Sequence, residues 1–599
     1  MGQKLLKDYV SNDNFIENMN RAFSDLRADY ELSMDADLKK IEELQETHVD
    51  VKNHLSDLIS YSLSSSGVIS GLRGTGKTHL LLLSRNSLNN NCFLNKANGV
   101  FCVYLNVKRL NFPQDCSQDL FNRIFSVFIY SEISKQLQTI LISLQSGNFL
   151  ERLLGRFDND KKKLVRNLQA AVVKLIEFNE IVRNGNSDFQ RLSIGTMGEE
   201  CDFHNLIELA ATWGATLNLS DAEFGTSWSA KYSEEISKKI ATNNTYLSYL
   251  NTNTIREEII SLLKLISLKA ITFYVDEWEK ISYAPKLQEF LSFFIDRIID
   301  DPIYFWISFV PYRGNLFYLD NGADLQHFID LDDNLVFENS TRDRELCLNY
   351  FRSFVDNRLR YYFQDNAITV SLLFNNNYNF EKLVLSSMGN SRDFGTMLLK
   401  CWSEYRAYRT NALAPGRPFQ YISERMVISA IKNNGEKKMS NIQSDTNTLS
   451  VWNDIEKFCL SRKSSHFAIE ENRENIENLT RMEFSNLIYH RLIHLRKRHV
   501  PAKDASAENK LAIYALDYSS TYDLHANDKR IQYITEYDTV HDRVRRYIYS
   551  PSEILKRLKI QDGEIFPCPS CNESINILKM AHAWNSNSCP YCGSKIRKE

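Results

Sequence analysis

Residues 66–83 read SGVISGLRGTGKTHLLLL. A short apolar run, GVIS, precedes a glycine-rich loop, and an apolar run typical of a helix follows it. The loop GLRGTGKT (residues 71–78) fits the pattern G-x-x-x-x-G-K-[ST] in the strand–loop–helix context that this pattern requires. Backbone N–H groups of such a loop, together with the N-terminus of the following helix, bind phosphate. The stretch therefore predicts a nucleotide site on an α/β sheet.

The pattern assigns chemistry to individual residues of the loop. Glycines let the backbone approach the phosphates closely. Lys77 is expected to reach the β and γ phosphates, and Thr78 to ligate Mg²⁺. The predicted nucleotide-binding residues of the loop are Gly71, Leu72, Arg73, Gly74, Thr75, Gly76, Lys77 and Thr78.

The second half of the predicted site is LKAITFYVDEWEKI, residues 268–281. It reads as a buried strand with acids at its end. Asp276 is expected to hold Mg²⁺. Glu277 is expected to orient and activate the attacking water as the catalytic acid–base group. The adjacent Asp-Glu pair favours ATP hydrolysis over simple nucleotide storage.

Strand and helix patterns alternate around these two motifs. Residues 67–71, 99–107, 268–281 and 302–313 predict four strands, and helical patterns separate them. This alternation predicts an α/β fold with a parallel sheet. The first 55 residues read as polar helix with a stripe through Leu38, Ile41 and Leu44, and the chain turns helical again after residue 340.

The segments GLRGTGKT, YVDEWEKI and GNSRDF, in this order, resemble the AAA+ ATPases, specifically the origin-recognition and replication-initiator branch and its bacterial relatives. The resemblance covers about residues 55–410. It implies a P-loop core that hydrolyses ATP with Mg²⁺, a helical lid, and an oligomer with nucleotide at the subunit interface. In that family a lid helix carries a sensor arginine, and Arg392 in MGNSRDFGTML matches its position.

The sequence departs from this family at two points. The first sensor is usually a polar residue after the fourth strand, and here either Tyr312 or Arg313 would have to serve. The long spacing from Thr78 to Asp276 implies a helical insertion at about residues 117–260. The arginine that acts on a neighbouring subunit stays open, with three candidates: Arg313, Arg342 and Arg344.

The chain ends in a second motif, CPSC followed by CPYC. Its spacing, C-x₂-C-x₁₇-C-x₂-C, falls within that of zinc sites. Four thiolates suit a closed tetrahedral Zn²⁺ site of structural type. The predicted zinc ligands of this ribbon-like module are Cys568, Cys571, Cys589 and Cys592.

Between lid and cysteine module, residues 479–500 read LTRMEFSNLIYHRLIHLRKRHV. Their apolar spacing predicts a helix over 481–499 with a basic end, and a polar loop and strand follow. A helix followed by a hairpin is typical of a winged helix, and in the initiator branch that the sequence resembles this domain binds DNA. Arg496, Lys497 and Arg498 are therefore candidate phosphate contacts. The alternative is that they only cap a helix, since cations are favoured at any helix C-terminus. A second basic run, HDRVRRYIYS (residues 541–550), is equally open.

Composition limits the alternatives. The formal net charge is −3, so nucleic-acid binding requires a local basic patch. No apolar run approaches the roughly 20 residues of a membrane span. The start, MGQKLLKDYV, lacks the apolar core of a signal peptide. Seven of the 11 cysteines are scattered along the chain. In a reducing cytosol such cysteines are most simply buried small apolar residues. We therefore expect a cytoplasmic protein without a membrane partner.

These observations predict five regions: an N-terminal helical region (1–55), a P-loop core (56–338), a helical lid (339–412), a winged-helix-like domain (419–560) and a zinc ribbon (561–599). The expected function is ATP hydrolysis coupled to nucleic acid, DNA rather than RNA, in replication, a mobile element or anti-phage defence, with a homo-oligomer or partner protein. The alternatives are a STAND-type signalling switch that senses a protein ligand, and a scaffold that binds ATP and hardly hydrolyses it.

Overall fold

A computed structural model describes residues 5–10, 12–24, 38–93, 99–110, 112–113, 115–145, 158–183, 250–281, 285–332, 335–410, 419–502, 510–535, 543–577 and 579–597. The chain divides into two compact units. The first comprises Met1–Ala28, Leu72–Thr75 and Asp332–Glu599, and the second comprises Asp29–Gly71 and Gly76–Leu331. Most of the stretch NALAPGRPFQ (residues 411–420), between the predicted lid and the predicted winged-helix-like region, falls outside the described residues, as does most of the 117–260 insertion.

The described strands are β1 (Gly67–Ser70), β2 (Val100–Asn106), β3 (Ala270–Asp276), β4 (Ile303–Phe309), β5 (His327–Asp330), β6 (His466–Glu470), β7 (Ile493–Pro501), β8 (Lys510–Leu516), β9 (Ile565–Pro567) and β10 (Ser574–Asn576). The described helices are α1 (Leu6–Tyr9), α2 (Asp13–Ser24), α3 (Leu38–Thr47), α4 (His54–Tyr61), α5 (Lys77–Asn91), α6 (Gln118–Gln145), α7 (Asp158–Arg183), α8 (Thr252–Ile266), α9 (Pro285–Ile298), α10 (Thr341–Phe363), α11 (Asn377–Ser386), α12 (Ser391–Thr410), α13 (Glu424–Ser440), α14 (Thr446–Arg462), α15 (Arg473–Thr480), α16 (Met482–Tyr489), α17 (Ser552–Gln561) and α18 (Ala581–Asn585).

The second unit is built on a five-stranded parallel sheet in the order β2-β3-β4-β1-β5. The four strands predicted from sequence are present. The fifth, β5, was missed because it has only four residues and lies at the sheet edge, where Phe328 is 56% exposed. Such a short, half-exposed strand carries little hydrophobic pattern of its own.

Two helical layers cover this sheet. On one face, Tyr104, Tyr274 and Trp306 share a buried core with leucines of α5. On the other face, alternate residues of the same strands pack against α6, α7, α8 and α9. Parallel sheets require both faces to be covered, which explains the almost continuous apolar runs in β2, β3 and β4. At the carboxyl edge of the sheet, β1 ends in Ser70, β3 in Asp276 and β5 in Asp330.

The first unit contains the lid helices and the C-terminal modules. The helix α2 packs on the lid, where the Trp402 indole N–H donates to Asn20 Oδ1 at 2.9 Å and Phe15 contacts Phe363. After α12, the chain forms α13, α14, β6, α15, α16, β7 and β8, and the three strands make an antiparallel sheet in the order β6-β8-β7. The predicted fold class is confirmed in its α/β core with a parallel sheet, in the helical region that follows the core, and in an α+β region before a small C-terminal module.

The helix predicted over 481–499 is wrong in its second half. The helix α16 ends at Tyr489, Arg491 takes a left-handed φ of 58°, and the Leu492 N–H donates to Leu487 O at 2.8 Å. The chain then enters β7, which pairs with β8. The apolar spacing of 484–495 fits a helix locally, but pairing with the distant segment 510–516 decides the strand.

Among the described residues, no helix is long and apolar enough to cross a membrane.

Candidate nucleotide and metal sites

The phosphate loop begins at the end of β1 and leads into α5. Gly76 has a φ of 96°, a conformation that favours glycine, and Lys77 is the first residue of the helix. The Lys77 ammonium is largely buried and donates to Gly71 O at 2.6 Å, across the loop. A buried ammonium at a helix N-terminus is a strong attractor of anions, which is the chemistry that a triphosphate requires.

Asp276, at the end of β3, is 1% exposed and accepts four hydrogen bonds. Oδ2 accepts from Thr78 Oγ1 at 2.6 Å and from the Tyr104 hydroxyl at 2.8 Å. Oδ1 accepts from Ser308 Oγ at 2.7 Å and from the Glu277 N–H at 2.9 Å. Thr78 and Asp276, which the sequence predicts as Mg²⁺ ligands, are thus brought together.

None of the four donors to Asp276 is a cation, and within the described residues this carboxylate makes no ion pair. A buried carboxylate is costly unless it is paired or coordinates a metal. Hard oxygen donors are also the ligands that Mg²⁺ prefers. The donor set at Thr78 and Asp276 therefore fits a magnesium ion.

Glu277 directly follows and has a φ of 63°, which is uncommon for a residue with a side chain. Its Oε2 is buried and has no hydrogen-bond partner among the described residues. Backbone strain and an unsatisfied buried oxygen are both typical of functional positions. Nearby Glu279 is also buried, and burial raises the pKa of its carboxyl while Lys77 opposes this shift.

The middle of the phosphate loop, Leu72–Thr75, contacts other parts of the first unit. The Leu72 N–H donates to both Asp332 carboxylate oxygens at 2.9 and 3.0 Å. Asn390 Nδ2 donates to Arg73 O at 2.8 Å. A Cβ added at Gly74 would lie 2.5 Å from Arg392 Cβ, so only glycine permits this approach.

Arg392, the predicted sensor, lies in the first turn of α12. Its N–H donates to Gly74 O at 3.3 Å and to Asn390 Oδ1 at 3.1 Å, and its side chain is half-buried. The Asp393 N–H also donates to Asn390 Oδ1, so Asn390 caps this helix. The motif GNSRDF thus places the start of α12 against Gly74, within the first unit.

Two residues at and just after the end of α16, Tyr489 and Arg491, contact Arg73 of the same segment. The Arg73 guanidinium lies 5.0 Å from the Tyr489 ring centre, and Arg491 Nη1 lies 3.5 Å from Arg73 O. The Arg491 guanidinium also donates to Asp393, with Nη2 at 2.9 Å from Oδ1. Lys438 Nζ lies 2.7 Å from Asp393 Oδ2 and 2.7 Å from Asp517 Oδ1, so it bridges the two carboxylates.

Burial acts on all of these carboxylates, but cations dominate. Burial would raise the pKa of Asp393, yet Arg491 and Lys438 hold it below its ordinary value. In the same way Lys438 and His494 lower the pKa of Asp517 despite its burial. These residues form a buried ion-pair chain through the first unit.

Arg496 is the clearest correction among the candidate DNA contacts. It is buried and donates to both oxygens of Glu338, with Nη2 2.7 Å from Oε2, and Nη1 donates to Met388 O at 3.2 Å. A guanidinium held in this way cannot reach a phosphate. It lies on β7 rather than at a helix end, so the capping alternative is wrong as well.

Four exposed basic residues lie around the β7–β8 hairpin instead. Lys497 and Arg498 are exposed on β7, and Arg543 and Arg546 are exposed in the second basic run. Val544 of that run shares a buried core with Val500 and Leu511 of the hairpin, and Arg545 Nη1 donates to Pro501 O at 3.3 Å. The tertiary structure therefore joins two basic runs that are more than 40 residues apart.

The remaining arginine candidates are dispersed. Arg313 and Tyr312 lie half-buried in the turn after β4, where Tyr312 has a φ of 64°. Arg344 pairs with Glu381 at 2.9 Å, and Arg342 is exposed at the start of α10.

The four C-terminal cysteines converge. Their sulfur atoms all lie within 4.8 Å of one another, with Cys568 and Cys592 3.7 Å apart and Cys571 and Cys589 3.8 Å apart. A tetrahedron with metal–sulfur bonds of about 2.3 Å has edges of about 3.8 Å. These separations therefore fit one zinc ion. Ile575 and Ile596 complete a small core around the cluster.

Sequence reasoning missed Tyr104, Ser308 and Glu279 at the nucleotide site. The first two lie at the site because the sheet register pairs Tyr104 with Tyr274 and Asn106 with Asp276, and places Ile307 beside Val275. That register is a property of the assembled sheet and could not be obtained from any single strand.

No protein-family model matches this sequence, and no curated protein matches it. Among solved structures, this chain is similar to the structure of the Aeropyrum pernix ORC1 protein in complex with DNA. The TM-score is 0.29 and the sequence identity 11%, over 84% of this chain and 96% of that chain. A TM-score of this size does not establish a common fold. The fold described above rests on the chain's own strands, and the site on its own contacts.

Proposed function

We propose that this protein binds and hydrolyses ATP with Mg²⁺ and couples that cycle to association with DNA. The observation that carries the ATPase proposal is the contact between Thr78 and Asp276, 2.6 Å apart at the end of a phosphate loop. Hydroxyl and carboxylate together supply the oxygen ligands of Mg²⁺. The buried Lys77 ammonium supplies the positive charge that a triphosphate needs.

The nucleotide roles follow from position. The loop residues Gly71 to Thr78 would surround the phosphates, and Lys77 would exchange its contact with Gly71 O for phosphate oxygens. Thr78 and Asp276 would hold Mg²⁺, which when bound neutralises charge on the phosphates. Glu277 is proposed to orient water with its unsatisfied oxygen. Arg392 is proposed to report the nucleotide state through the lid.

Two variants test this site in different ways. Lys77→Ala should weaken ATP binding, because it removes a charge from the phosphates. Glu277→Gln should keep binding and lower hydrolysis by roughly 10²–10⁴-fold, because Asp276 and the loop remain. Glu289→Gln is the control and should change neither, because this half-buried acid of α9 accepts a hydrogen bond from the Tyr318 hydroxyl and none of the roles above uses it. Glu277→Gln protein that hydrolyses ATP at the wild-type rate would exclude this role for Glu277.

The proposed DNA contact uses the hairpin side of the winged-helix-like domain. Lys497, Arg498, Arg543 and Arg546 are exposed there and can each neutralise a phosphate. The helix α16 is a poor candidate, since Glu483 pairs with Arg481, Asn486 donates to Asp445, and Tyr489 contacts Arg73. Phosphate contacts without base contacts predict binding with little sequence preference.

Filter binding of duplex DNA over a range of salt tests this contact. Replacing the four residues by Ala should reduce the salt slope by up to about 3.6 units, about 0.9 for each phosphate contact. The control replaces four exposed basic residues elsewhere: Lys437, Arg473, Lys529 and Lys556. Equal slopes for the two quadruple variants would refute this surface, and wild-type protein without DNA affinity at low salt would refute the DNA function.

The cysteine module is proposed to hold one structural Zn²⁺ through Cys568, Cys571, Cys589 and Cys592. Metal analysis should find about one zinc per chain, and Cys568→Ser should lose it while ATP binding remains. Cys459→Ala, which changes a buried cysteine of α14, should keep the zinc. Protein purified without chelator that contains no zinc would contradict the assignment.

The remaining expectations stand as proposals. They are the domain limits 1–55, 56–338, 339–412, 419–560 and 561–599, a cytoplasmic location, and a homo-oligomer or partner protein. A role in replication, a mobile element or defence against phage follows from the resemblance alone.

A signalling switch of the STAND type is a second candidate, and one observation favours it. Tyr489 and Arg491 of the C-terminal domain contact the phosphate-loop residue Arg73, so that domain is placed to restrain the loop. A switch should retain ATP through purification and lack DNA affinity. Steady turnover that DNA stimulates would instead favour the first proposal.

A further inference from the structure

Two hydroxyl donors to Asp276, those of Tyr104 and Ser308, have no part in the roles proposed above. The Tyr104 hydroxyl donates to Oδ2 at 2.8 Å, and the same oxygen accepts from Thr78 Oγ1 at 2.6 Å. Oδ2 of Asp276 is therefore held between Thr78, at the end of the phosphate loop, and Tyr104, which lies two residues before the last residue of β2.

The strand register explains how Tyr104 reaches this position. In the parallel pair of β2 and β3, Tyr104 lies opposite Tyr274, and Asp276 is two residues further on the same face of β3. A tyrosine spans such a diagonal, because long aromatic side chains reach neighbours two residues along the adjacent strand. An ionised carboxylate oxygen can only accept, so the Tyr104 hydroxyl is the donor of this hydrogen bond.

We propose that Tyr104 is a positioning residue for the divalent cation of the nucleotide site. The terminal torsion of an aspartate is broad and roughly two-fold, so an isolated carboxylate rotates easily. Tyr104 fixes Oδ2 beside Thr78 Oγ1, so both oxygens are oriented before the cation arrives. Pre-organisation of this kind lowers the cost of binding. The inference rests on the proposed nucleotide function.

The chain supplies a matched control. Tyr274 is the register partner of Tyr104, is fully buried, and belongs to the same core. Its hydroxyl shares hydrogen bonds with Ser62 at 2.8 Å and Ser84 at 2.7 Å and not with Asp276. Tyr104→Phe and Tyr274→Phe therefore each remove one buried hydroxyl, but only the first removes a donor to the carboxylate.

The measurement is the affinity for a fluorescent, non-hydrolysable ATP analogue, with Mg²⁺ and with EDTA. We expect Tyr104→Phe to reduce the ratio of the two affinities about tenfold, the effect of one hydrogen bond to a charged group. It should leave the affinity in EDTA unchanged. Tyr274→Phe should keep the wild-type ratio, although both variants melt at lower temperature. A second readout is the Mg²⁺ concentration for half-maximal binding, which should rise only in Tyr104→Phe.

The outcomes separate the two proposals. Wild-type protein whose analogue affinity does not depend on Mg²⁺ would overturn the proposed function, and the Tyr104 role with it. If the wild-type affinity depends on Mg²⁺ and Tyr104→Phe keeps the same ratio of affinities, the Tyr104 role alone is overturned. The same holds if Tyr274→Phe lowers this ratio as much as Tyr104→Phe does. If Tyr104→Phe does not fold, Tyr104→Met replaces it, since it also lacks the hydroxyl and a flexible side chain fills the space.

Discussion

Asp276 and Asp393 are both buried aspartates, but they are stabilised in opposite ways. Asp393 contacts two cations, Arg491 and Lys438. Asp276 contacts three hydroxyls and one backbone N–H, and among the described residues it contacts no cation. The negative charge of Asp393 is balanced by cations of the chain itself. Asp276 has its lone pairs oriented by neutral donors and makes no ion pair among the described residues, which is the arrangement that the proposed magnesium site requires.

The largest effect that this comparison predicts is on stability at Asp393. Asp393→Asn should leave Arg491 and Lys438 buried with too little negative charge and destabilise the first unit by about 3–5 kcal/mol. Hydrogen exchange of α12 and α13 measures this locally, without assuming that the whole chain unfolds in one step. Protection equal to that of the wild type would show that the ion-pair chain is not structural.

The second prediction concerns pH. Lys438 and Arg491, like Arg496 at Glu338, hold the pKa values of buried carboxyls below their ordinary range in spite of burial. A carboxyl whose pKa is lowered by folding contributes stability above its unfolded pKa of about 4 and loses it as pH falls further. The first unit should therefore lose protection below about pH 4. Glu338→Gln protein should start from a lower stability and lose less protection than the wild type as pH falls below about 4. If both proteins lose protection equally steeply with pH, Glu338 does not contribute to the pH dependence.

Asp276→Asn should behave in the opposite way to Asp393→Asn. No cation is left unpaired, so we expect a change in stability of only about 1 kcal/mol, the cost of one mismatched hydrogen bond. The Mg²⁺-dependent part of nucleotide affinity should be lost. Thermal melting and analogue binding, measured on the same samples, check both parts, and a destabilisation as large as that of Asp393→Asn would remove the contrast.

The smallest effect is expected at an exposed pair of opposite charges. Arg473 and Glu477 are 3.1 Å apart on α15, with side chains 94% and 66% exposed. Arg473→Ala should change stability by less than about 0.5 kcal/mol, because water and salt screen such pairs. If urea unfolding shows a larger loss of stability in Arg473→Ala, burial does not explain why the ion pairs of Asp393 are expected to contribute more.

The same contrast explains which parts of the molecule could be predicted. The strands β1 to β4 were predicted because each is a continuous apolar run, and Thr78 and Asp276 because their types follow from phosphate and magnesium chemistry. The cysteine cluster was predicted from spacing alone. The strand β5 and the second half of the 481–499 segment were not, since an edge strand and a hairpin strand depend on partners far along the chain.

The sequence by itself determined the phosphate loop, the acids that follow β3, the four clustered cysteines and the α/β class, because each depends on residue type at short spacing. Only the tertiary structure decided that Tyr104 supports Asp276, that Arg496 is buried against Glu338, and that Arg543 and Arg546 join Lys497 and Arg498. The physical reason is that strand register and the burial of charge depend on which distant segments meet. A basic residue reads the same in sequence whether it faces a carboxylate or water.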